Sequence, residues 1–241
     1  MIKFFRLIRY NLMETGKTGK YFKYAIGEII LVVLGILIAL QINNWNTNQQ
    51  DQKKEIRILT ELKTGLEADN TLLQTTLKKY TQDHKQLNTL DSVLKLEDHP
   101  YSKSLNSLFG KVYGIRFVRV NSAFYEDIKS SGLQIIRDDA IRSKIVNLFE
   151  NNYKFLDGLL EFEKNVNEVL RPYYLANFTN IDFSESAHPI DFKKIWGDPY
   201  YKNIVHYRII TLQSNHLKNF KNTIDAIEAI VNEINNYLQD D

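Results

Sequence analysis

The chain contains no cysteine in 241 residues. That absence excludes disulfides, thiolate metal sites, a cysteine nucleophile, palmitoylation and a lipidated N-terminal Cys. It does not assign a compartment, since an extracytoplasmic domain with an adequate core needs no disulfide. Proline (4) and glycine (10) are scarce, so the residues that most often interrupt helices are few. Clustered positive charge is missing from the bulk of the chain. Before residue 24 stand Lys3, Arg6, Arg9, Lys17, Lys20 and Lys23 against Glu14, a balance of +5; a total of +2 leaves −3 for the rest. A mildly acidic bulk argues against nucleic acid as a partner, which needs a basic face on the folded domain.

What the chain does have is one long apolar run. Ala25 to Ile42 reads AIGEIILVVLGILIALQI, with no polar side chain between Ile29 and Leu40. At about 1.5 Å per residue this run spans roughly 27 Å, close to the hydrocarbon thickness of a bilayer. Tyr21 and Tyr24 precede it and Trp45 follows it, where interfacial aromatics belong. A core helix of this length would keep a polar face. A cleaved signal peptide would show small residues in an A-x-A pattern, and Ala39-Leu40-Gln41-Ile42-Asn43 does not. The expectation is an uncleaved anchor over residues 24–43. Basic residues before the span, and none after it until Lys53, place the N-terminus in the cytoplasm and residues 44–241 on the opposite side of the membrane.

Residues 2–13 put Phe4, Phe5, Ile8 and Leu12 at helical spacing, with Lys3, Arg6 and Arg9 elsewhere on the wheel. This pattern suits a helix lying on anionic headgroups. The tail of residues 1–23 is too short for an output domain, so any signalling role requires a separate cytoplasmic partner.

Residues 44–241 carry helical periodicity. Leu59, Leu66, Leu73, Tyr80, Leu87 and Leu94 recur every seven residues, while the second seam position holds Leu62 and Leu90 but fails at Asp69, Thr76, Asp83 and Glu97. This is one face of a bundle helix, free to continue from the membrane helix through residues 43–52. A short helix is expected over 122–131, closed by Gly132, and GIRFVRV (114–120) reads as extended. The next long helix starts at Asp138 as N-cap, with Ile141, Ile145, Leu148, Phe155, Leu159, Phe162, Val166 and Val169 as its apolar stripe, interrupted at Asn152 and ended or kinked by Pro172. Asp198-Pro199 starts the last helix. Its second half places Leu217, Phe220, Ile224, Ile227, Val231, Ile234 and Leu238 in an unbroken three-four alternation. Residues 177–197 read as irregular. The fold class is all-α, an antiparallel bundle of about four helices following a single transmembrane helix.

Site chemistry is sparse. Gly16-Lys17-Thr18 would need Gly at position 11 for a phosphate loop, and that residue is Asn11. Glu185-x-x-His188 matches half of a di-iron ligand pattern but is solitary and followed by Pro189. His84, His99, His188, His206 and His216 show no ligand spacing. Asp157 and Glu161 share a helix face beside Lys154 and Lys164, as a solvated face does. No nucleophile elbow or dinucleotide fingerprint is present. No cofactor, metal or enzymatic activity is expected. In the membrane helix, Glu28 is an ionisable candidate, though one turn from the cytoplasmic end it can snorkel. Gly35 and Ala39 form a small-xxx-small pair suited to helix association.

The block GEIILVVLGILIALQINNWN (Gly27 to Asn46), after a basic FFR-type N-terminus, resembles the opening of an uncharacterised bacterial family with one N-terminal membrane helix. FYEDIKSSGLQIIRDDAIRSKIVNLFENNY (Phe124 to Tyr153) is similar to that family's second recurring stretch, as is Asp198-Pro199. The resemblance implies a single-pass inner-membrane protein with a periplasmic helical domain, and brings no known activity, ligand or catalytic residue. The expected function is an envelope scaffold or adaptor binding another protein or itself through the 217–238 seam or the surface around Tyr125–Gly132. The alternative is an extracytoplasmic ligand-sensing bundle.

Overall fold

The computed structural model describes residue 10, residues 18–97 and residues 99–240. Apart from Tyr10, the expected interfacial helix at 2–13 lies outside the described residues, as does the Gly16-Lys17 pair. Helix α1 (Thr18–Leu94) is continuous for 77 residues, so the polar stretch at 43–52 does carry the helix onward. The chain divides into two compact units, one ending at Glu55 and the next beginning at Ile56.

In the N-terminal unit, every residue from Ile29 to Leu40 is exposed around the whole circumference of α1. A helix that is apolar all round is ordinarily buried in protein or lipid. By length and composition, α1 holds a segment able to cross a membrane, and none of that segment is buried.

In the second unit, Leu59, Leu66, Leu73, Leu87 and Leu94 are each at most 1% exposed. Burying each contributes about 1.5–3 kcal/mol relative to leaving it in water. Threonines on the opposite face (Thr60, Thr64, Thr71, Thr75 and Thr81) donate their hydroxyls to the carbonyl four residues back, which keeps them compatible with the helix. After α1 come α2 (Leu105–Val112) and α3 (Ala123–Ser131). Gly132 closes α3 at φ 101°, a backbone conformation that glycine adopts readily.

Helix α4 (Asp139–Asn147) begins where expected, with Asp138 Oδ1 accepting from the Ile141 N–H at 2.8 Å. A π-helical turn (Leu148–Tyr153) joins it to α5 (Lys154–Asn177). The turn adds a residue to the helical repeat and rotates the apolar stripe. Leu156, Leu159, Glu163, Val166, Leu170 and Tyr174 therefore face inward, while Phe155 and Val169, expected in the core, are 44% and 66% exposed. Pro172 does not end the helix, which runs on to Asn177. Pro172 and Glu168 both lie on the exposed face, where water can take the carbonyl that proline leaves unpaired.

The stretch expected to be irregular holds a two-stranded antiparallel hairpin, β1 (Phe178–Asp182) with β2 (Ser186–Pro189), followed by α6 (Phe192–Gly197). Helix α2 packs on β2 so closely that a Cβ on Gly110 would collide with the Ser186 backbone. Asp198 caps α7 (Pro199–Thr211), accepting from the Tyr200 N–H at 2.8 Å and from the Tyr173 hydroxyl at 2.6 Å. A second π-helical turn (Leu212–Leu217) leads into α8 (Lys218–Asp240). The predominantly helical class stands, with the hairpin as its exception.

Candidate functional site

Two of the apparent failures in the α1 seam are buried polar anchors. Asp69 is 7% exposed and Asp83 is 3% exposed. Asp69 Oδ2 accepts from the Tyr153 hydroxyl at 2.8 Å, and the Asn121 N–H lies 3.3 Å from Asp69 Oδ1. Burial raises the Asp69 pKa, and these two donors only partly offset it. Asp83 receives Arg116 Nε at 3.0 Å and sits 3.4 Å from Lys111 Nζ. Both aspartates thus hold the irregular segment after α2 against α1.

That segment enters the core at Arg116, which is 2% exposed. Its Nη2 donates to the Lys111 carbonyl at 2.6 Å, and its backbone N–H donates to Glu163 Oε2 at 3.1 Å. Glu163 in turn takes both terminal nitrogens of Arg208, at 3.1 and 3.0 Å. Asn167, one turn further along α5, brackets Gly114 by accepting its N–H and donating to its carbonyl, each at 2.9 Å. His216, in the second π-helical turn, donates from Nε2 to the Arg116 carbonyl at 3.1 Å and lies 3.5 Å from Glu163 Oε1. Burial lowers its pKa below the ordinary 6.5, with Glu163 opposing, so the imidazole is neutral at pH 7. Tyr80 donates to the Phe117 carbonyl at 3.0 Å, and burial pushes its pKa up to about 12.

The cluster holds three cations (Lys111, Arg116, Arg208) against two buried carboxylates, with the exposed Glu185 3.4 Å from Lys111. Arg116 Nη1 and Arg208 Nε are buried without hydrogen-bond partners. An arrangement this desolvated fixes backbone more than it adds stability. It sets where the Tyr113–Asn121 segment runs and so shapes the surface above it.

An open apolar cleft of about 440 Å³ lies between α5 and α7. Val169, Tyr200 and Tyr207 line it at 66%, 53% and 48% exposure. Phe162, Val166 and Ile204 form its base. The same π-helical turn that turned Val169 outward is what exposes this face.

The residues singled out in sequence fall differently. Leu217, Phe220, Ile224, Ile227 and Ile234 are buried, and Val231 and Leu238 pack half-buried against the same core. The seam therefore packs within the chain. Tyr125 and Ile128 are buried too, which leaves little apolar surface around Tyr125–Gly132. Gly35 and Ala39 lie in the exposed part of α1, and Glu28 is half-buried. Glu185 pairs with Lys111, while His188 sits half-buried in β2. Glu161 lies 3.5 Å from Lys164, and Lys154 turns to Glu150. No cluster of three or more His, Asp and Glu side chains converges among the described residues. Glu163, Asn167 and Arg208 were not singled out, and His216 was weighed only as a metal ligand; the signal of all four is a polar residue interrupting an inward stripe.

Residues 28–181 match a family of unknown function, DUF6090, and the chain belongs to that family. No curated protein and no solved structure matches it.

Proposed function

We propose that this DUF6090 member is a single-pass, membrane-anchored envelope adaptor. Residues 24–43 cross the inner membrane of a bacterial cell with the N-terminus inside, and the helical domain is presented in the periplasm to bind another protein. The circumferentially exposed apolar segment of α1 supports the anchor, and the basic excess before it supports the orientation. The cleft between α5 and α7 carries the adaptor reading. It is the place on the folded domain where Val169, Tyr200 and Tyr207 stand exposed around a concave apolar base, the form of surface that receives an apolar helix face. The cleft takes the role expected of the 217–238 seam, because that seam is already used inside the chain.

The test is site-specific photocrosslinking of the full chain in its host membrane, with benzoylphenylalanine at Val169 or Tyr207 and controls at Asp157 and Lys85. The adaptor reading predicts one common adduct at both cleft positions and none at the controls. An adduct of twice the chain mass would identify a second copy as the occupant. No adduct, or equal yields at all four positions, would remove the cleft as a docking site.

A further inference from the structure

A second concavity lies on the domain, sharing helix α5 with the first but none of its lining residues. It encloses about 490 Å³, within the range of pockets for small ligands. Helix α1 contributes Lys79, α5 contributes Asn167 and Arg171, the extended segment contributes Tyr113 and Ile115, and the hairpin turn contributes Phe183, Ser184 and Glu185. The base is rigid. Asn167 is fixed by its paired bonds to Gly114, and the Ser184 N–H donates to the Tyr113 carbonyl at 3.0 Å. Ser184 holds φ at 63°, a left-handed conformation kept by this contact. The apolar walls are exposed: Phe183 by 64% and Ile115 by 45%, with the Phe183 and Tyr113 rings 5.2 Å apart.

The charges favour an anion. Among the described residues, neither Lys79 nor Arg171 forms an ion pair. The one acidic side chain lining the groove, Glu185, lies 3.4 Å from Lys111. Behind the base, Lys111, Arg116 and Arg208 are balanced by Asp83, Glu163 and Glu185, so Lys79 and Arg171 are the surplus charges at the groove. We propose that this groove binds a small organic acid with an aromatic or branched apolar body, its carboxylate between Lys79 and Arg171 and its body against Ile115 and Phe183. A planar guanidinium presents paired donors to a carboxylate, and the aromatic wall supplies the apolar contact. The site is independent of the adaptor reading, since it shares no residue with the α5–α7 cleft.

The test is isothermal titration of the full chain in lipid nanodiscs with 3-phenylpropionate, subtracting empty nanodiscs. Two comparison ligands are 3-phenylpropanol, which keeps the body without the charge, and acetate, which keeps the charge without the body. The proposal predicts saturable binding of the acid at one site and at least tenfold weaker binding of the alcohol and of acetate. The pair Lys79→Glu and Arg171→Glu weakens the acid at least tenfold; both side chains are exposed, so the melting temperature is unchanged. Phe183→Ala weakens the acid severalfold through the wall alone, and Val169→Glu in the other cleft leaves it unaffected. No saturable binding of the acid, equal affinity for the alcohol, or an acid affinity indifferent to the charge reversals would overturn it.

Discussion

Glu163 grips Arg208 through both carboxylate oxygens, at 3.1 and 3.0 Å, with each side chain 1% exposed. Two helices are thereby tied at a point where neither group can reach water. Removing one partner leaves the other charge buried and uncompensated, which typically costs about 3–5 kcal/mol. Glu163→Gln should destabilise the domain by that amount. Trp196, packed on His99 with ring centroids 5.7 Å apart, reports unfolding once Trp45 is replaced by Phe. The double variant Glu163→Gln/Arg208→Met should lose much less than the sum of its parts, the mark of a coupled pair.

Acid dependence follows from the buried imidazole. The folded pKa of His216 lies below 6.5 because burial disfavours its charged form, and the His84 pKa is lowered by the same cause. Above 6.5 both folded and unfolded imidazoles are neutral and contribute nothing. Below 6.5 the unfolded chain takes up protons that the folded chain resists, so stability falls until the folded pKa is passed. Denaturation midpoints between pH 7 and 5 should decline, and the decline should shrink in His216→Gln. A pH profile unchanged by that substitution would place the acid sensitivity elsewhere.

Asp69 acts in the opposite direction. Its pKa is raised above 3.8 by burial, so the folded state binds its proton more tightly than the unfolded state does. Its ionised form costs stability above the folded pKa, and that cost is relieved as pH falls through it toward 3.8. Tyr153→Phe removes the 2.8 Å hydroxyl donor and should destabilise the domain by about 1–3 kcal/mol at pH 7. The deficit should narrow in acid, where Asp69 is protonated. A deficit independent of pH would show that the lost hydroxyl acts apart from Asp69.

Gly110 is needed for space. Any Cβ there meets the Ser186 backbone, and overpacking of this kind costs typically 1–3 kcal/mol. Gly110→Ala should lower the melting temperature. Gly158→Ala, at an exposed site where nothing lies within 4 Å, should be neutral or mildly stabilising.

Much of this architecture was legible in the sequence because local chemistry dictates it. Asp138 and Asp198 announce their helices through the side-chain oxygens that cap them, and Gly132 closes α3 through a φ that other residues rarely adopt. The leucines of α1 recur at a spacing that only one helix face satisfies. What escaped are features fixed at a distance. The π-helical turn at Leu148–Tyr153 shifts the register of α5, which straight counting through Asn152 could not anticipate, so Phe155 and Val169 were expected in the core. The strands Phe178–Asp182 and Ser186–Pro189 are too short to show alternation. Glu163 and Arg208 lie 45 positions apart, and their pairing has no local mark. Asp69 and Asp83 carried the available signal. Each sits at a second seam position beside the regular leucine row, and each proves to be an anchor for the segment after α2.

The most direct test of the membrane-anchored account uses the absence of cysteine, which makes single-cysteine labelling free of background. Thr15→Cys, Gln82→Cys and Asn236→Cys are expressed separately in the host, and intact cells are treated with a membrane-impermeant maleimide that reaches the periplasm. The account predicts labelling of Gln82→Cys and Asn236→Cys in intact cells, labelling of Thr15→Cys only after lysis, and retention of all three in carbonate-washed membranes. Protection of the domain cysteines until lysis, or release of the chain by carbonate, would contradict it.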